Sequence, residues 1–367
     1  MAGILLKTLF LALLCLAVSQ REVFAQDKMN LFKVTENVYM MENSRGSSNS
    51  TFVITDEGVV VFDTDIRTSD QTLAAIRKLT DKKVRYIITS HSAGDHATGG
   101  WHFREDRPVY IATKNQAKDL FMQEGKAFEE RKVSDTAYKG RDLVRPDIAF
   151  SGSLTLYLGG LTFQMTDEGH GHSTSDLTVY IPQRRVMLTG DILDTEIHPG
   201  QAESGGVFFA NVQGWIDILD RVMQRNLAVD TYVPGHGPVH VGRGVADLQE
   251  QKRYFVVMRD EVAKMIQTGK SLEQIQKELV VPKEFAHYRR PERLRNFLKL
   301  FYNQLLERAS SEPAQEGDVY ESVVSFSYRD LAWRLRHHAD AKPGCLDPCR
   351  SRAGAGRSQR DYREYYR

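Results

Sequence analysis

Cysteine is nearly absent from this 367-residue chain: the three that occur are Cys15, in an apolar N-terminal run, and Cys345 and Cys349 near the C-terminus. A disulfide framework is therefore excluded as the source of stability, and a chain of this length with 41% hydrophobic residues can bury a core without one. The "CLDPC" pair has no second Cys/His pair at zinc-finger spacing beside it. That leaves a local disulfide, half of a metal site, or an incidental pair in a tail. Net charge is lacking too. At +1, no global field recruits nucleic acid or an acidic membrane. The balance is uneven, because residues 329–367 carry ten Lys/Arg against five Asp/Glu, a surplus of five that leaves residues 1–328 at −4.

A membrane-spanning run is missing as well. In "MAGILLKTLFLALLCLAVSQREVFAQD" the uncharged stretch from Thr8 to Ser19 is about half of the ~20 residues a spanning helix needs. Lys7 precedes it and "VFA" stands before Gln26, so residues 1–25 form a secretory signal peptide, and export to the periplasm or the medium without a stable membrane anchor is expected. Leu14 before Cys15 is not the small residue that a lipoprotein anchor requires. At the other end, residues 311–367 are polar, Gly/Arg-rich and aperiodic, and a disordered tail is expected. Arg there alternates with Tyr362, Tyr365 and Tyr366, as in nucleic-acid-binding tails, but charged termini are usually just solvated and a nucleic-acid partner is not expected.

Regular alternation fills the middle. "TFVITDEGVVVFDTD" (51–65) reads as two strands around the Asp56-Glu57-Gly58 turn, "TSDQTLAAIRKLT" (68–80) as a helix with Leu73, Ile76 and Leu79 at helical spacing, and "VRYIITS" (84–90) as a buried strand. Strands near 153–157, 161–166, 177–182 and 185–189 follow, then the helix "NVQGWIDILDRVM" and the strand "TYVPG". On that helix Val212, Trp215, Ile216, Leu219 and Val222 make one apolar stripe, which assigns Trp215 to the core. Such alternation specifies a layered α/β domain over residues 26–245. Residues 246–310 turn helical, with a capping signal at Ser271 and Gln274 and a stripe of Leu294, Phe297, Leu298, Phe301 and Leu305; these helices cover one side of the domain or wall its pocket.

Histidines and aspartates gather where the predicted strands end. His91, Asp95 and His96 share the loop "SHSAGDHATGG"; His172 lies in "GHGHSTSD", Asp191 in "MLTGD" and His236 in "YVPGHG". Strand ends on one sheet edge converge, so residues distant in sequence can build one site. Imidazole and carboxylate without thiolate suit zinc, with iron or manganese as alternatives.

The order "HSAGDH", "GHS" with Asp176 four residues on, "TGD" and "PGHG" resembles the metallo-β-lactamase-fold hydrolases over roughly residues 31–245. The resemblance implies a four-layer αββα sandwich with a C-terminal helical extension, and one or two Zn2+ ions between the loop edges. Residue by residue it implies His91 and His172 on a first metal, Asp95, His96 and His236 on a second, and Asp191 bridging them, with Asp95 and Asp191 as the catalytic carboxylates. One ligand is missing. The family pattern is His-x-His-x-Asp-His, and Ala93 stands at its second histidine. His102 and His170 are the nearest spare imidazoles, and His198 in the "HPGQAESGG" loop is a candidate to line the substrate pocket.

The same resemblance implies a hydrolase that uses metal-bound hydroxide on a small-molecule substrate. A Gly-Asp at 190–191 looks more like glyoxalase II, lactonases and related esterases than like lactamases with Cys or Ser there, which favours an ester, thioester or lactone over a β-lactam. Export disfavours a glutathione thioester. Two further classes stay open: a mononuclear iron oxygenase of persulfide dioxygenase type, since two His and one Asp remain in the first site, and a non-catalytic binder that lost its chemistry with Ala93.

Overall fold

The computed structural model describes residues 28–311 apart from 201, 202, 205, 206 and 209. The expected signal segment 1–25, the Cys345/Cys349 pair and the expected tail beyond 311 lie outside the described residues.

Two sheets form the centre. The first runs in chain order, β1 (Met29–Thr35), β2 (Val38–Asn43), β3 (Ser50–Thr55), β4 (Gly58–Phe62), β5 (Val84–Ile88), β6 (Val109–Thr113) and β7 (Ile148–Phe150), antiparallel through β4 and parallel after it. The second contains β8 (Ser153–Leu158), β9 (Leu161–Gly169), β10 (Asp176–Ile181), β11 (Val186–Asp194) and β14 (Thr231–His236), in the order β14-β11-β10-β9-β8. β12 (Glu203–Ser204) and β13 (Val207–Phe208) pair separately. The helices are α1 (Ser69–Leu79), α2 (Gly94–Ala97), α3 (Lys114–Asp119), α4 (Gly125–Ser134), α5 (Val212–Gln224), α6 (Ala246–Gln267), α7 (Leu272–Glu278) and α8 (Pro291–Ser311). None of the described helices is long and apolar enough to cross a membrane.

The run "VVVF" in β4 shows how the layers arise. Successive side chains of a strand point to opposite faces, so an unbroken apolar run is buried on both. Val60 and Phe62 meet Met165, Leu177, Val179 and Leu188 of the second sheet, while Val59 and Val61 pack with Ala75 and Ile76 of α1. On the far side of the second sheet, Trp215 of α5 is fully buried, its ring 4.7 Å from Phe255 of α6, with Phe297 of α8 at 5.7 Å from Phe255. The indole N–H donates to the Ile192 carbonyl at 2.9 Å, so Trp215 is a core residue, as its helical stripe indicates. The result is the expected four-layer αββα sandwich, and the described residues from 28 to Glu307 form one compact unit that takes in α6, α7 and most of α8.

Most expected elements fall where the pattern puts them, and the Ser271/Gln274 capping box is formed at α7. β11 differs: it runs on to Asp194 beyond the expected end near 189, because all nine of its residues are buried and it pairs in parallel with β14. The pattern leaves β1, β2, β6, β7, β12 and β13 unassigned. β1 carries four exposed residues in a row and so shows no clean alternation.

Candidate metal centre

The site is built at the ends of β4, β5, β9, β11 and β14. β5 is followed by Thr89, Ser90 and His91, and the loop then closes into the short α2, which carries Asp95 and His96. His91, His96, His172 and His236 are all buried, as is Asp191, while Asp95 is about a quarter exposed. Two glycines seat Asp191. A Cβ on Gly190, whose φ is +52°, would stand 2.2 Å from the Ser90 Cβ, and a Cβ on Gly235 would stand 2.0 Å from Asp191 Oδ1. Gly190 thus leaves space for Ser90 after β5, and Gly235 of "PGHG" leaves space for Asp191 of "TGD".

Asp191 is the common element. His96 Nε2 and His236 Nε2 each lie 3.2 Å from one of its oxygens, His172 Nε2 at 3.5 Å and His91 Nε2 at 3.8 Å. Asp95 Oδ2 is 3.7 Å from both His96 Nε2 and His236 Nε2. Donor atoms within 4.8 Å of one another fall into the groups His91/His172/Asp191, Asp95/His96/His236 and Asp191/Asp194/His236. The first two coincide with the ligand sets that the sequence implies. The third adds Asp194, whose place in "GDILD" inside a buried strand gave the only hint of it.

These groups fit a divalent metal. Among the described residues His91 Nε2 and Asp191 Oδ1 are buried with no hydrogen-bond partner, an expensive state unless a cation takes the lone pairs. Behind them stand orienting contacts. His96 Nδ1 is 2.9 Å from Asp63 Oδ2, and Asp63 also accepts from the Ser90 N–H and hydroxyl. His236 Nδ1 faces the Gly46 carbonyl at 3.3 Å, and His91 Nδ1 the Ser90 hydroxyl at 2.9 Å. Asp63, which the sequence reading passed over, sits with φ 64° directly after the buried run of β4.

Electrostatics divide the imidazoles. Burial, reinforced at His91 by the His96 charge, pushes His91 and His172 down to about 3, so both keep their lone pairs free at neutral pH. Burial acts the same way on His96, but Asp191, Asp95 and Asp63 outweigh it and hold His96 well above the ordinary histidine value. Burial opposes ionisation of Asp191, yet His236, His96, His172 and His91 together hold it well below the carboxylate range. Asp194 is pushed up to about 7 by burial and by Asp191, and Asp176 to about 7 by burial.

Ala93 lines the cavity beside these donors, a space of about 180 Å³ walled also by His91, Asp95, His172, Asp191, Gly200, His236, Arg293 and Asn296. Neither spare imidazole replaces the missing ligand: His102 donates to the Ile66 carbonyl at 2.8 Å, and His170 is exposed and outside the donor groups. His198, a candidate for the pocket lining, is corrected by the structure. It is buried with Nδ1 2.7 Å from the Tyr254 hydroxyl and its ring against Tyr254 and Tyr288, a packing role that turns it from the cavity. Gly200, two residues on, and Arg293 and Asn296 of α8 take the wall instead.

Comparison with known proteins agrees with this geometry. A family profile described as the metallo-beta-lactamase superfamily matches residues 43–236. A metallo-beta-lactamase type 2 of Bacteroides fragilis is 26% identical over 247 residues, 63% of this chain and 90% of that protein. A linear primary-alkylsulfatase of Pseudomonas sp. is 22% identical over 265 residues, and the aligned part spans 50% of its length. Among solved structures, a stereoselective inverting sec-alkylsulfatase from Pseudomonas sp. superposes with a TM-score of 0.60 at 18% identity, over 80% of this chain and 52% of that one. A metallo-beta-lactamase from Pontibacter korlensis gives 0.51 at 18% identity, over 62% of this chain and 99% of that one. The chain belongs to the metallo-β-lactamase superfamily, and its class is that of the metal-dependent hydrolases.

Proposed function

We propose that this protein is an exported zinc hydrolase of a small-molecule ester, thioester or lactone, with two metal positions that share Asp191. One observation carries the reading: a single buried carboxylate flanked at 3.2 to 3.8 Å by four imidazole Nε2 atoms, two from each donor group. Zinc follows from a donor set of nitrogen and oxygen with no thiolate. A divalent metal bound there would act as a Lewis acid on the scissile carbonyl and bring the pKa of a coordinated water to ~7. The chain's own part is orientation and charge. Asp63 fixes the ring of His96 and selects Nε2 as its free donor. Asp95, the one partly exposed carboxylate of the set, lines the cavity, and the burial that opposes its charge is outweighed by His96 and His236, which keep it ionised.

Export rests on the N-terminal segment described above. β-Lactam hydrolysis is the second reading, favoured by the similarity to the Bacteroides enzyme over most of that enzyme's length. The deciding experiment combines elemental analysis of the mature protein with kinetics on matched esters, thioesters, lactones and β-lactams. Zinc with the highest kcat/KM on an ester, thioester or lactone supports the proposal. A tenfold preference for a β-lactam supports the second reading, and a fully metallated protein that turns over none of the four overturns both.

A further inference from the structure

Arg293 of α8 is a cation that the metal centre does not use. It comes from the helical extension, lines the cavity with Asn296 one helical turn on, and brings Nη2 to 3.4 Å from His236 Nδ1. That approach is no hydrogen bond once His236 offers Nε2 to a metal, because Nδ1 then carries the proton and donates it to the Gly46 carbonyl at 3.3 Å. Both atoms are then donors. Nη1 is buried with no hydrogen-bond partner among the described residues, on a side chain that lines the cavity. Gly200 makes the room: a Cβ there would stand 3.3 Å from Nη1, while its own N–H goes to Asp194 Oδ2 at 3.4 Å.

Charge sharpens the point. Asp191, Asp194 and Asp95 give the guanidinium nearby negative charge while the donors hold no cation, but divalent metals in both donor groups would cancel it. An unpaired, partly desolvated guanidinium then needs an anion from elsewhere. Arg favours planar oxyanions, which accept two parallel N–H bonds, and the Asn296 amide adds further donors on the same wall. We infer that Arg293, with Asn296, binds an oxyanion group of the substrate, a carboxylate or a sulfonate, held on the His236 side of the cavity next to the scissile bond. The inference rests on the hydrolase reading above and names the class of substrate within it.

The test uses the zinc-loaded full chain and two esters of equal length, the anionic mono-4-nitrophenyl succinate and the neutral 4-nitrophenyl butyrate, together with calorimetric titration of succinate and methanesulfonate. Arg293→Ala should lower the ratio of kcat/KM for the anionic over the neutral ester at least fivefold, chiefly through KM. Binding of succinate, of methanesulfonate, or of both should weaken at least fivefold, and the stronger of the two identifies the oxyanion. Arg293→Lys should recover only part of the ratio, since a point charge lacks the fork. Arg293→Gln serves in place of Arg293→Ala if the smaller side chain destabilises the fold. A ratio that moves less than fivefold, or equal losses on both esters, overturns the inference, and the second result would mean that Arg293 only balances Asp194. If the wild type turns over neither ester but binds succinate through Arg293, hydrolysis of simple esters fails while the anion site stands.

Discussion

His96 leans on the Asp63 carboxylate and His236 on the Gly46 carbonyl, whereas His91 has only the Ser90 hydroxyl behind it and His172 Nδ1 has no hydrogen bond among the described residues, with the Asp176 carboxylate at 4.0 Å. The two donor groups of one centre are thus built differently. Around His96 the chain supplies Asp95, His236 and a shared Asp191, with rings held from behind; around His91 it supplies His172 and the shared Asp191, with Ala93 where another imidazole would stand. An oriented ring loses little freedom on binding a cation, so the His96 group is expected to be the tighter of the two. Losing a ligand has cost this centre symmetry, while Asp191 keeps both halves in touch.

Removing what the halves share gives the largest effect. Asp191→Ala should bring metal per chain close to zero by elemental analysis and turnover below detection, and His236→Ala should do nearly as much. Near wild-type turnover in either would mean the centre lies elsewhere. Next comes Asp63→Ala, which should weaken zinc in the His96 group by about 10 to 100-fold in chelator competition and leave the His91 group within a few fold. Equal weakening of both would erase the difference drawn above. Ala93→His tests the same asymmetry from the other side: zinc bound per chain should rise from nearer one towards two. Two equally tight sites in the wild type would show that some other group already stands in for the missing histidine.

A subtler contrast concerns protons. His96 is held well above the ordinary histidine value, so in the metal-free protein at pH 7 it is charged and must release about one proton when zinc binds. His91 and His172, down at about 3, release none. Calorimetry in buffers of different ionisation enthalpy should give about one proton for the first zinc and near zero from imidazoles for the second. Lowering the pH from 7 to 5 should therefore penalise the His96 group more. The smallest effect is expected at His198: His198→Leu removes the partner of the Tyr254 hydroxyl and should cost about 1 kcal/mol in denaturant unfolding, with turnover within twofold. A raised KM there would restore His198 to the pocket.

Why was so much of this legible beforehand? Metal ligands at strand ends come with glycines, and the reason is steric: Gly190 and Gly235 are what let Asp191 sit between two strand ends. A run such as "VVVF" declares a strand buried on both faces. What stayed hidden lacks a local signature. Asp63 acts through a contact 33 residues away, and Asp194 looks like any residue of a buried strand. His198 misled because a histidine in a glycine-rich loop suggests exposure, and only packing against Tyr254 and Tyr288 turns it inward. Arg293 belongs to a helix whose apolar stripe explains its fold and says nothing of its polar face.

The stretch that matches the superfamily ends at His236, the last metal ligand, yet the cavity is closed by Arg293 and Asn296, some sixty residues further on. The metal ligands and part of the cavity wall therefore lie on separate segments of the chain. A crossover between residues 240 and 290 could exchange that part of the wall while keeping every metal ligand, so kinship measured over the ligand-bearing half leaves one side of the cavity unread.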